Sequence, residues 1–468
     1  MNFEDKTLKE ILELLGNGAT SSAELVGYLL KRINTYNPKL HSFISINPRA
    51  AEEAKEADAK RKKGMKLPLL GVPVGIKDNF LTKGLRTTSA SLVLDDYIPQ
   101  YDATVVKRLR DAGAVIIGKT NLDAWGHGSS GEHTDYGVTR NPYAYDRVTG
   151  GSSSGSGAAV AAGFCYMGTG SDTGGSNRQP GSYCNVIGLK PTYGRTSRYG
   201  VIAMASSTDS IGMLTKTVWD TAFILSVIAG FDPLDGSSSR QPVPDYAHLL
   251  EKKEHFKIGV PKEFFEGLDS GVEKATRDAI RMLQAKGHTI VEISLPRVRY
   301  AYPTYALTTF PEISSNLARF DGVRYGGERS LFGDEAKRRI MIGTHAAASG
   351  YRGKYYDHAM KIRTMLTQDF IEALTSVDVL VGPVFPFPPF HHAEREIDPV
   401  QMYLSDVLTV PANLTGHPAI SVPIPFVDGL PNGLQIIARH FDEVTMLRLA
   451  HEVEEEYQMY KIRPKLTP

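Results

Sequence analysis

Two glycine- and serine-rich segments hold the residues best suited to nucleophilic chemistry. Residues 150–157 read GGSSSGSG, and residues 170–180 read GSDTGGSNRQP. A serine hydroxyl is a poor nucleophile unless a neighbouring base removes its proton. Histidine is the usual base, but no GxSxG elbow accompanied by a suitable Asp and His stands out. A serine in these segments would therefore need a different base.

A lysine can be that base if burial keeps it neutral, because desolvation lowers the pKa of an amine. Lys77 meets the positional requirement, since it lies in GVPVGIKDN at the end of an apolar, strand-like run. On these features alone, an ordinary exposed lysine is the more common interpretation. The segment thus supplies a candidate base but does not by itself establish one.

Three other interpretations of these segments and their surroundings stay open. The serines could cap the helix predicted at the alanine-rich residues 158–162. Residues 168–174 read GxGxxxG, which is one residue off the dinucleotide fingerprint, and no GxxxxGK[ST] occurs, so a nucleotide-binding scaffold is a weak alternative. A thiol-dependent hydrolase would need a reactive cysteine with a histidine partner. Cys165 and Cys184 lie among apolar and small residues, which favours buried, inert thiols.

The elements that must position these residues alternate along the chain. Helical patterns occur at residues 104–112 and 220–228, among others. Short apolar runs typical of buried strands occur at residues 72–76, 114–117, 186–189, 258–260, 377–381, 420–422 and 434–437. Strands that alternate with helices predict an α/β fold: a large mixed central sheet covered by helices on both faces.

We expect a single domain of 468 residues with three parts. Residues 1–65 form an N-terminal helical segment, in which Ser21 and Glu24 have the spacing of a capping box. Residues 66–231 form the core with the glycine- and serine-rich segments, and residues 246–468 complete the sheet and a substrate pocket. The Pro-, Gly- and Ser-rich residues 232–245 read as a loop between the two halves of one sheet.

Composition narrows the class of protein. The chain is 41% hydrophobic and 22% charged, which is typical of globular proteins, and its net charge is +1. That balance argues against this chain providing the main binding surface for nucleic acid or for an acidic membrane. Residues 148–171 are uncharged, but their apolar part is too short to span a bilayer, and residues 1–17 do not resemble a signal peptide. We expect a cytoplasmic protein without membrane association.

Taken together, the sequence blocks resemble those of the amidase signature family. The successive blocks are GVPVGIKDN, GGSSSGSGAAVAAG, GSDTGGSNRQP and GLKPTYGR. The resemblance implies a Ser–cis-Ser–Lys triad in which Ser176 is the nucleophile, Ser152 the proton relay and Lys77 the base. It also implies that the backbone N–H groups of the turn ending at Ser176 form an oxyanion hole. These are the groups of Thr173, Gly174, Gly175 and Ser176 itself.

Four further blocks are YDATVVKRLRDAGAVIIGKTN at 101–121, SSNLARFDGVRYG at 314–326, KRRIMIGT at 337–344 and GLQIIARHFDE at 433–443. With them, the chain most resembles, within the family, the glutamine-hydrolysing A subunits of amidotransferases that act on Glu-tRNA(Gln) or Asp-tRNA(Asn). This resemblance implies that Asp406 binds the ammonium of free glutamine, that Arg339 binds its carboxylate and that Tyr305 contacts it. Without the resemblance, Asp406 could be a helix cap, and Arg339 could belong to a solvated basic helix face with Lys337 and Arg338. Asp172 and Arg178 read as a structural charge pair or hydrogen-bond support.

The same resemblance implies partners and excludes a cofactor in this chain. A B subunit would bind the tRNA and use ATP and Mg²⁺, and a small C subunit would complete a heterotrimer. The nearest competing function is that of a free-standing amidase acting on aryl, acyl or peptide amides, with a mainly apolar pocket. We assign no metal site, because the His391–His392 pair lies in a Pro-rich loop without a spaced third ligand.

The chain departs from the usual family blocks at several places. Ser154 stands in place of a glycine, Gly157 of an alanine and Asn177 of an isoleucine, and Trp125-Gly126-His127 replaces Phe-Ala-Met. The loop before Arg339 is shorter than usual. None of these departures falls on the three triad positions, and we expect them to alter the shape of the pocket or the contact with a partner.

Overall fold

The computed structural model describes residues 2–252, 254–395 and 399–468. The α-helices in these residues are α1 Leu8–Gly16, α2 Ser22–Leu40, α3 Ala50–Lys62, α4 Thr104–Asp111, α5 Ser154–Ala161, α6 Arg178–Tyr183, α7 Val218–Ile228, α8 Ser270–Ala285, α9 Ala301–Leu317, α10 Asp334–Ala347, α11 Tyr356–Ser376, α12 Pro399–Tyr403, α13 Val410–Leu414 and α14 Glu443–Tyr457. The strands are β1 Phe43–Ile46, β2 Pro73–Lys77, β3 Val115–Thr120, β4 Met167–Asp172, β5 Ile187–Lys190, β6 Ser210–Thr215, β7 Lys257–Pro261, β8 Thr289–Ile293, β9 Val379–Pro383, β10 Ala419–Val427 and β11 Leu430–Ala438.

Side-chain caps set the start of the N-terminal helices. Thr7 and Glu10 form a reciprocal capping box at the start of α1. Ser21 accepts a hydrogen bond from the backbone N–H of Glu24 at the start of α2. Each bond satisfies a backbone donor that has no partner inside the helix. Within the described residues, no helix is both long and apolar enough to cross a membrane.

All the strands join one mixed sheet, in the order β1-β3-β2-β4-β6-β5-β10-β11-β9-β7-β8. The strands of residues 43–215 lie on one side of the sheet and those of residues 257–438 on the other. The two sides meet where β5 pairs antiparallel with β10, with Leu189 opposite Ile420. The sheet is thus a single layer that runs through both halves of the chain.

The sheet is covered on both faces. Every residue of strands β2 to β6 is buried, which requires neighbours above and below the sheet because successive side chains point to opposite faces. The predicted α/β class with a large mixed sheet is therefore confirmed. The seven apolar runs predicted as strands all lie in strands, with boundary differences of one to a few residues.

Strands β1, β4, β6 and β8 were not predicted from the sequence. β4 reads MGTGSD and has little of the β-branched or aromatic character on which strand prediction depends. Its glycines are needed for close packing, because a Cβ on Gly168 would lie 2.8 Å from Ser156 Cβ and one on Gly170 would lie 2.0 Å from Asn177 Oδ1. Since Gly168 and Gly170 lie in this buried strand, residues 168–174 are not a phosphate-binding loop.

Candidate active site

Lys77 and the turn that carries Ser176 follow the same edge of the sheet, at the ends of β2 and β4. β2 runs parallel to both β3 and β4, so the carboxyl ends of the three strands lie together. Lys77 is the last residue of β2, and Asp172 is the last residue of β4. The backbone N–H of Lys77 donates to Thr169 Oγ1 in β4 over 2.8 Å, which fixes the end of β2 against its neighbour. This is the edge where open α/β sheets bind ligands.

Lys77 is completely buried and surrounded by hydroxyl groups. Its Nζ lies 2.9 Å from Ser152 Oγ, 2.8 Å from Ser153 Oγ and 3.0 Å from Ser171 Oγ. Burial lowers the pKa of Lys77 to about 7, although the charges of three buried aspartates oppose the shift. A large fraction of the amine is therefore neutral near pH 7 and can accept a proton. The interpretation of Lys77 as an ordinary exposed lysine is wrong.

Ser152 lies in the loop that leads into α5, directly after a cis peptide bond between Gly151 and Ser152. Glycine is required at position 151, because a Cβ there would lie 1.9 Å from Asp123 Oδ2. The Asp123 carboxylate accepts hydrogen bonds from the backbone N–H groups of Gly131 and His133, both at 3.0 Å. Asp123 therefore holds the loop of residues 131–133 beside the loop that carries Ser152.

The Asp172 side chain shapes the turn that carries Ser176. Its carboxylate accepts hydrogen bonds from the backbone N–H of Gly175 over 2.9 Å and of Asn177 over 3.1 Å. It also forms a completely buried ion pair with Arg178 over 3.0 Å, as the sequence analysis expected. Ser176 is 6% exposed, and within the described residues its Oγ has no hydrogen-bond partner, Ser152 included. The hydroxyl is therefore free to face a substrate.

The predicted oxyanion donors lie in this same turn, but they are not equivalent. Because the N–H of Gly175 is bonded to Asp172, it is not free in this conformation. Gly175 has φ +141°, and a Cβ there would lie 2.4 Å from Thr409 Oγ1, so the turn depends on glycine. Thr173 is held by its side chain, whose Oγ1 donates to Asp209 Oδ1 over 2.6 Å.

Asp406 is buried and connected to the turn of Ser176. Its Oδ1 accepts hydrogen bonds from Gln179 Nε2 over 2.6 Å and from Ser129 Oγ over 2.7 Å. Thr409, one turn further along, donates to the carbonyl of Gly174 over 2.6 Å. Burial raises the pKa of Asp406 to about 6, and the two hydrogen bonds and the charge of Arg339 limit the rise. The interpretation of Asp406 as a helix cap is wrong, because its side chain bonds to Gln179 and Ser129.

Arg339 is also buried, unlike the exposed Lys337 beside it, so the interpretation as a solvated helix face is wrong. Its Nε donates to Glu335 Oε1 over 2.6 Å, and its guanidinium lies 5.0 Å from the centre of the Phe310 ring. Burial alone would lower the pKa of Arg339, but the Glu335 carboxylate raises it, so the guanidinium stays charged. Glu335 lines a cavity of about 300 Å³.

Tyr305 lies beside the turn that carries Ser176. It is buried in α9, and a Cβ added to Gly174 would lie 3.1 Å from the Tyr305 hydroxyl. Its ring centre is 5.9 Å from that of Tyr302. The structure thus places Tyr305 against the loop that carries the candidate nucleophile. Within the described residues, no hydrogen bond joins Asp406 or Arg339 to Ser176.

Sequence reasoning missed the residues that hold the site in place. Six of them come from distant parts of the chain and carry no motif of their own: Asp123, Ser129, Asp209, Glu335, Thr409 and Asn413. Ser171 and Gln179 lie inside the segment of residues 170–180, whose pattern did not indicate their roles. Asp123 and Ser129 flank the unusual Trp125-Gly126-His127 segment, which was the available signal.

Both cysteines are buried, and burial raises the pKa of Cys165 to about 12. These features oppose a thiol nucleophile.

The fold and the buried Lys77 with its serine neighbours fit an amidohydrolase, and comparison with known proteins supports that class. Residues 24–447 match the family model Amidase, and the chain belongs to the amidase family. It is 48% identical to the A subunit of glutamyl-tRNA(Gln) amidotransferase from Geobacillus kaustophilus, with complete coverage of both chains. The crystal structure of the corresponding protein from Thermotoga maritima superposes with a TM-score of 0.85 at 37% identity, covering 100% of this chain and 99% of that one.

The fold is shared with amidases of other specificity. Peptide amidase from Stenotrophomonas maltophilia has a TM-score of 0.85 at 28% identity, with complete coverage of both chains. The resemblance inferred from the sequence blocks is therefore confirmed. Since one fold hosts both activities, the choice of substrate has to be argued from the pocket.

Proposed function

We propose that this chain is the glutamine-hydrolysing subunit of a tRNA-dependent amidotransferase. The observation that carries the proposal is the completely buried Lys77, with Nζ 2.9 Å from Ser152 Oγ and a pKa lowered to about 7. A base of that pKa suits proton transfer near neutral pH. Similarity along the whole chain to A subunits of glutamyl-tRNA(Gln) amidotransferase supports the choice of substrate.

In this proposal, Ser176 Oγ attacks the side-chain amide carbon of glutamine. Its proton passes through Ser152 to the neutral amine of Lys77, and the tetrahedral intermediate forms. Lys77 then returns the proton through Ser152 to the leaving nitrogen, so that ammonia departs and an acyl-enzyme remains. A water molecule, activated by the same pair, hydrolyses the ester to glutamate. Ser176 has to move towards Ser152, since the two hydroxyls are not bonded in this conformation.

The negative oxygen of the intermediate needs hydrogen-bond donors that are in place before the reaction. We propose the backbone N–H groups of Thr173, Gly174 and Ser176 for this role. The N–H of Gly175 joins them only if it leaves Asp172. One such donor is typically worth about 2.7–4 kcal/mol of transition-state stabilisation. The Asp172 and Asp209 contacts keep the turn in shape, so little reorganisation is needed.

Free glutamine carries an ammonium and a carboxylate, and the pocket offers a partner for each. We propose that Asp406 binds the ammonium through Oδ2, which accepts no hydrogen bond from the described residues. Arg339 binds the carboxylate through its two terminal nitrogens, because Nε is taken by Glu335. Tyr305 contacts the substrate beside Gly174. Two buried, opposite charges favour an amino acid over an apolar amide.

The chain would act in the cytoplasm within a heterotrimer of A, B and C subunits. The B subunit would carry the tRNA, ATP and Mg²⁺ and use the ammonia made here, so this chain would need no cofactor of its own. A net charge of +1 fits a chain that leaves the tRNA to a partner. The acceptor would be Glu-tRNA(Gln), Asp-tRNA(Asn) or both.

The competing function is that of a free-standing amidase. The decisive experiment measures ammonia release from L-glutamine and, in parallel, from benzamide. It uses the chain alone and the chain co-expressed with its B and C subunits, with Ser176→Ala as the control. Release from glutamine that depends on Ser176 and increases in the complex is the expected result. Serine-dependent release from benzamide alone would overturn the choice of substrate but keep the triad.

A further inference from the structure

His127 is a buried histidine in the segment between β3 and α5. The side chain is 1% exposed, and neither ring nitrogen has a hydrogen-bond partner within the described residues. Buried polar atoms are nearly always hydrogen-bonded, so two unsatisfied nitrogens on one ring call for an explanation. His127 lines the same cavity of about 300 Å³ as Glu335, the partner of Arg339. Among the described residues, Arg339 itself does not line this cavity, but its charge acts on the His127 ring, so the ring and the guanidinium lie near each other.

The backbone holds this ring in position. The N–H of His127 donates to the carbonyl of Ala124 over 3.0 Å. Trp125 is fixed between two aromatic rings, with its centre 5.0 Å from that of Phe320 and 5.1 Å from that of Phe332. These contacts hold the segment in place, so the His127 ring lines the cavity without a rotation of the loop.

Burial and the neighbouring charges keep the His127 ring neutral. Burial lowers the pKa of His127 well below its usual value, and the positive charges of Arg339 and His133 lower it further. A neutral imidazole has one N–H donor and one acceptor nitrogen. A ligand that presents an anionic oxygen beside Arg339 would satisfy that donor, whereas a second cation would not.

We propose that the N–H of His127 donates to the α-carboxylate of glutamine, next to the terminal nitrogens of Arg339. This makes His127 a specificity-determining residue for amides that carry an α-carboxylate. The inference rests on the proposed function of the chain.

Two substrates test the proposal: L-glutamine, and 4-aminobutanamide, which lacks only the carboxylate. The variants are His127→Met, which removes the donor, and His127→Gln, which keeps an N–H. His345→Met, an exposed substitution in the same helix as Arg339, is the control. The readout is the ratio of kcat/KM for L-glutamine to kcat/KM for 4-aminobutanamide, because a partly unfolded sample lowers both values equally.

His127→Met is expected to raise the KM for L-glutamine about tenfold or more, as the loss of a hydrogen bond to a charged group does, with kcat within about twofold. The ratio falls accordingly, His127→Gln restores part of it, and His345→Met leaves it unchanged. An unchanged ratio in His127→Met would overturn the proposal. If the unmodified complex fails to hydrolyse L-glutamine in a Ser176-dependent way, the proposed function itself fails, and the two failures are thus distinct.

Discussion

The guanidinium of Arg178 and the carboxylate of Asp172 form an ion pair over 3.0 Å, with both side chains completely buried, beneath the turn that carries Ser176. Arg178 also donates to the carbonyl of Thr409, to Gln435 Oε1 and to Asn413 Oδ1. These acceptors belong to the second half of the chain. The pair therefore connects the nucleophile turn to the elements that carry the proposed substrate site.

Replacing Arg178 with methionine should destabilise the protein strongly. Burial alone would raise the pKa of Asp172, but Arg178 and Asn413 lower it to about 2. Removing the arginine leaves a buried, unpaired carboxylate, which typically costs about 3–5 kcal/mol. Urea unfolding measures the loss, and glutamine hydrolysis should decrease because Asp172 no longer fixes the turn.

The double variant Asp172→Asn/Arg178→Met is the matched control. It removes the unpaired charge, so its free energy of unfolding should exceed that of Arg178→Met alone. A double variant that is less stable than Arg178→Met would contradict the account of the pair. A loss of stability below about 1 kcal/mol in Arg178→Met would contradict the cost expected for a buried, unpaired carboxylate.

Lys77 should make stability depend on pH in a way that Lys77→Met removes. The pKa of Lys77 is about 7 in the folded protein but near the ordinary lysine value when unfolded. Between these values the unfolded chain binds one more proton, so this group makes stability rise with pH, by at most about 1.4 kcal/mol per unit. Lys77→Met lacks this contribution and should also abolish hydrolysis.

The measurement is urea unfolding of both proteins from pH 7 to pH 9.5. The free energy of unfolding of Lys77→Met minus that of the unmodified chain should decrease steadily across this range. Comparing the two proteins cancels the titration of the other buried lysines. A constant difference would mean that Lys77 keeps an ordinary pKa, and the proposed base would lose its support.

The sequence predicted the fold better than the residues that surround the candidate site. Apolar runs mark buried strands wherever they are continuous, and the serine blocks carry a recognisable spacing. β4 was not predicted because glycine has a low strand propensity. Its glycines are required because neighbouring side chains pack too closely for a Cβ. Gln179 and Ser129 could not be connected to Asp406 from the sequence, because those hydrogen bonds span 227 and 277 residues. Only the folded sheet brings such residues together.

Asp406 should control the pH dependence of glutamine binding. Burial raises its pKa to about 6, so the carboxyl loses its charge below that pH and no longer attracts the substrate ammonium. The ratio of kcat/KM for L-glutamine to kcat/KM for glutaramate, which lacks the ammonium, should therefore fall as the pH drops from 8 to 5. The titration of Lys77 affects both substrates and cancels in the ratio.

Asp406→Asn is the matched variant for this test. It cannot ionise, so its ratio should be lower than that of the unmodified chain at pH 8, by about tenfold or more, and should not change with pH. A ratio in Asp406→Asn that equals that of the unmodified chain would show that the ammonium binds elsewhere.

Three serines surround Lys77, and their different hydrogen bonds predict which one relays the proton. Ser153 Oγ donates to Asn177 Oδ1 over 3.0 Å, and Ser171 Oγ accepts from Asn79 Nδ2 over 3.1 Å. Within the described residues, Ser152 Oγ forms a hydrogen bond only with Lys77, so it can form a second one with Ser176. A relay must bond to donor and acceptor in turn, and Ser152 has fewer other hydrogen bonds than Ser153 or Ser171.

Ser152→Ala should therefore reduce kcat for glutamine by about a thousandfold or more, close to the effect of Ser176→Ala. The reason is that the effects of removing different members of one proton relay are not additive. Ser153→Ala and Ser171→Ala should each reduce kcat by about tenfold or less. They remove a neighbour of the amine without interrupting the relay, and they shift the pH at which activity is half-maximal. Steady-state kinetics from pH 6 to pH 9 measure both quantities. If Ser152→Ala kept its activity while Ser153→Ala lost it, the proton would have to travel through Ser153, whose Oγ lies 2.8 Å from Lys77 Nζ.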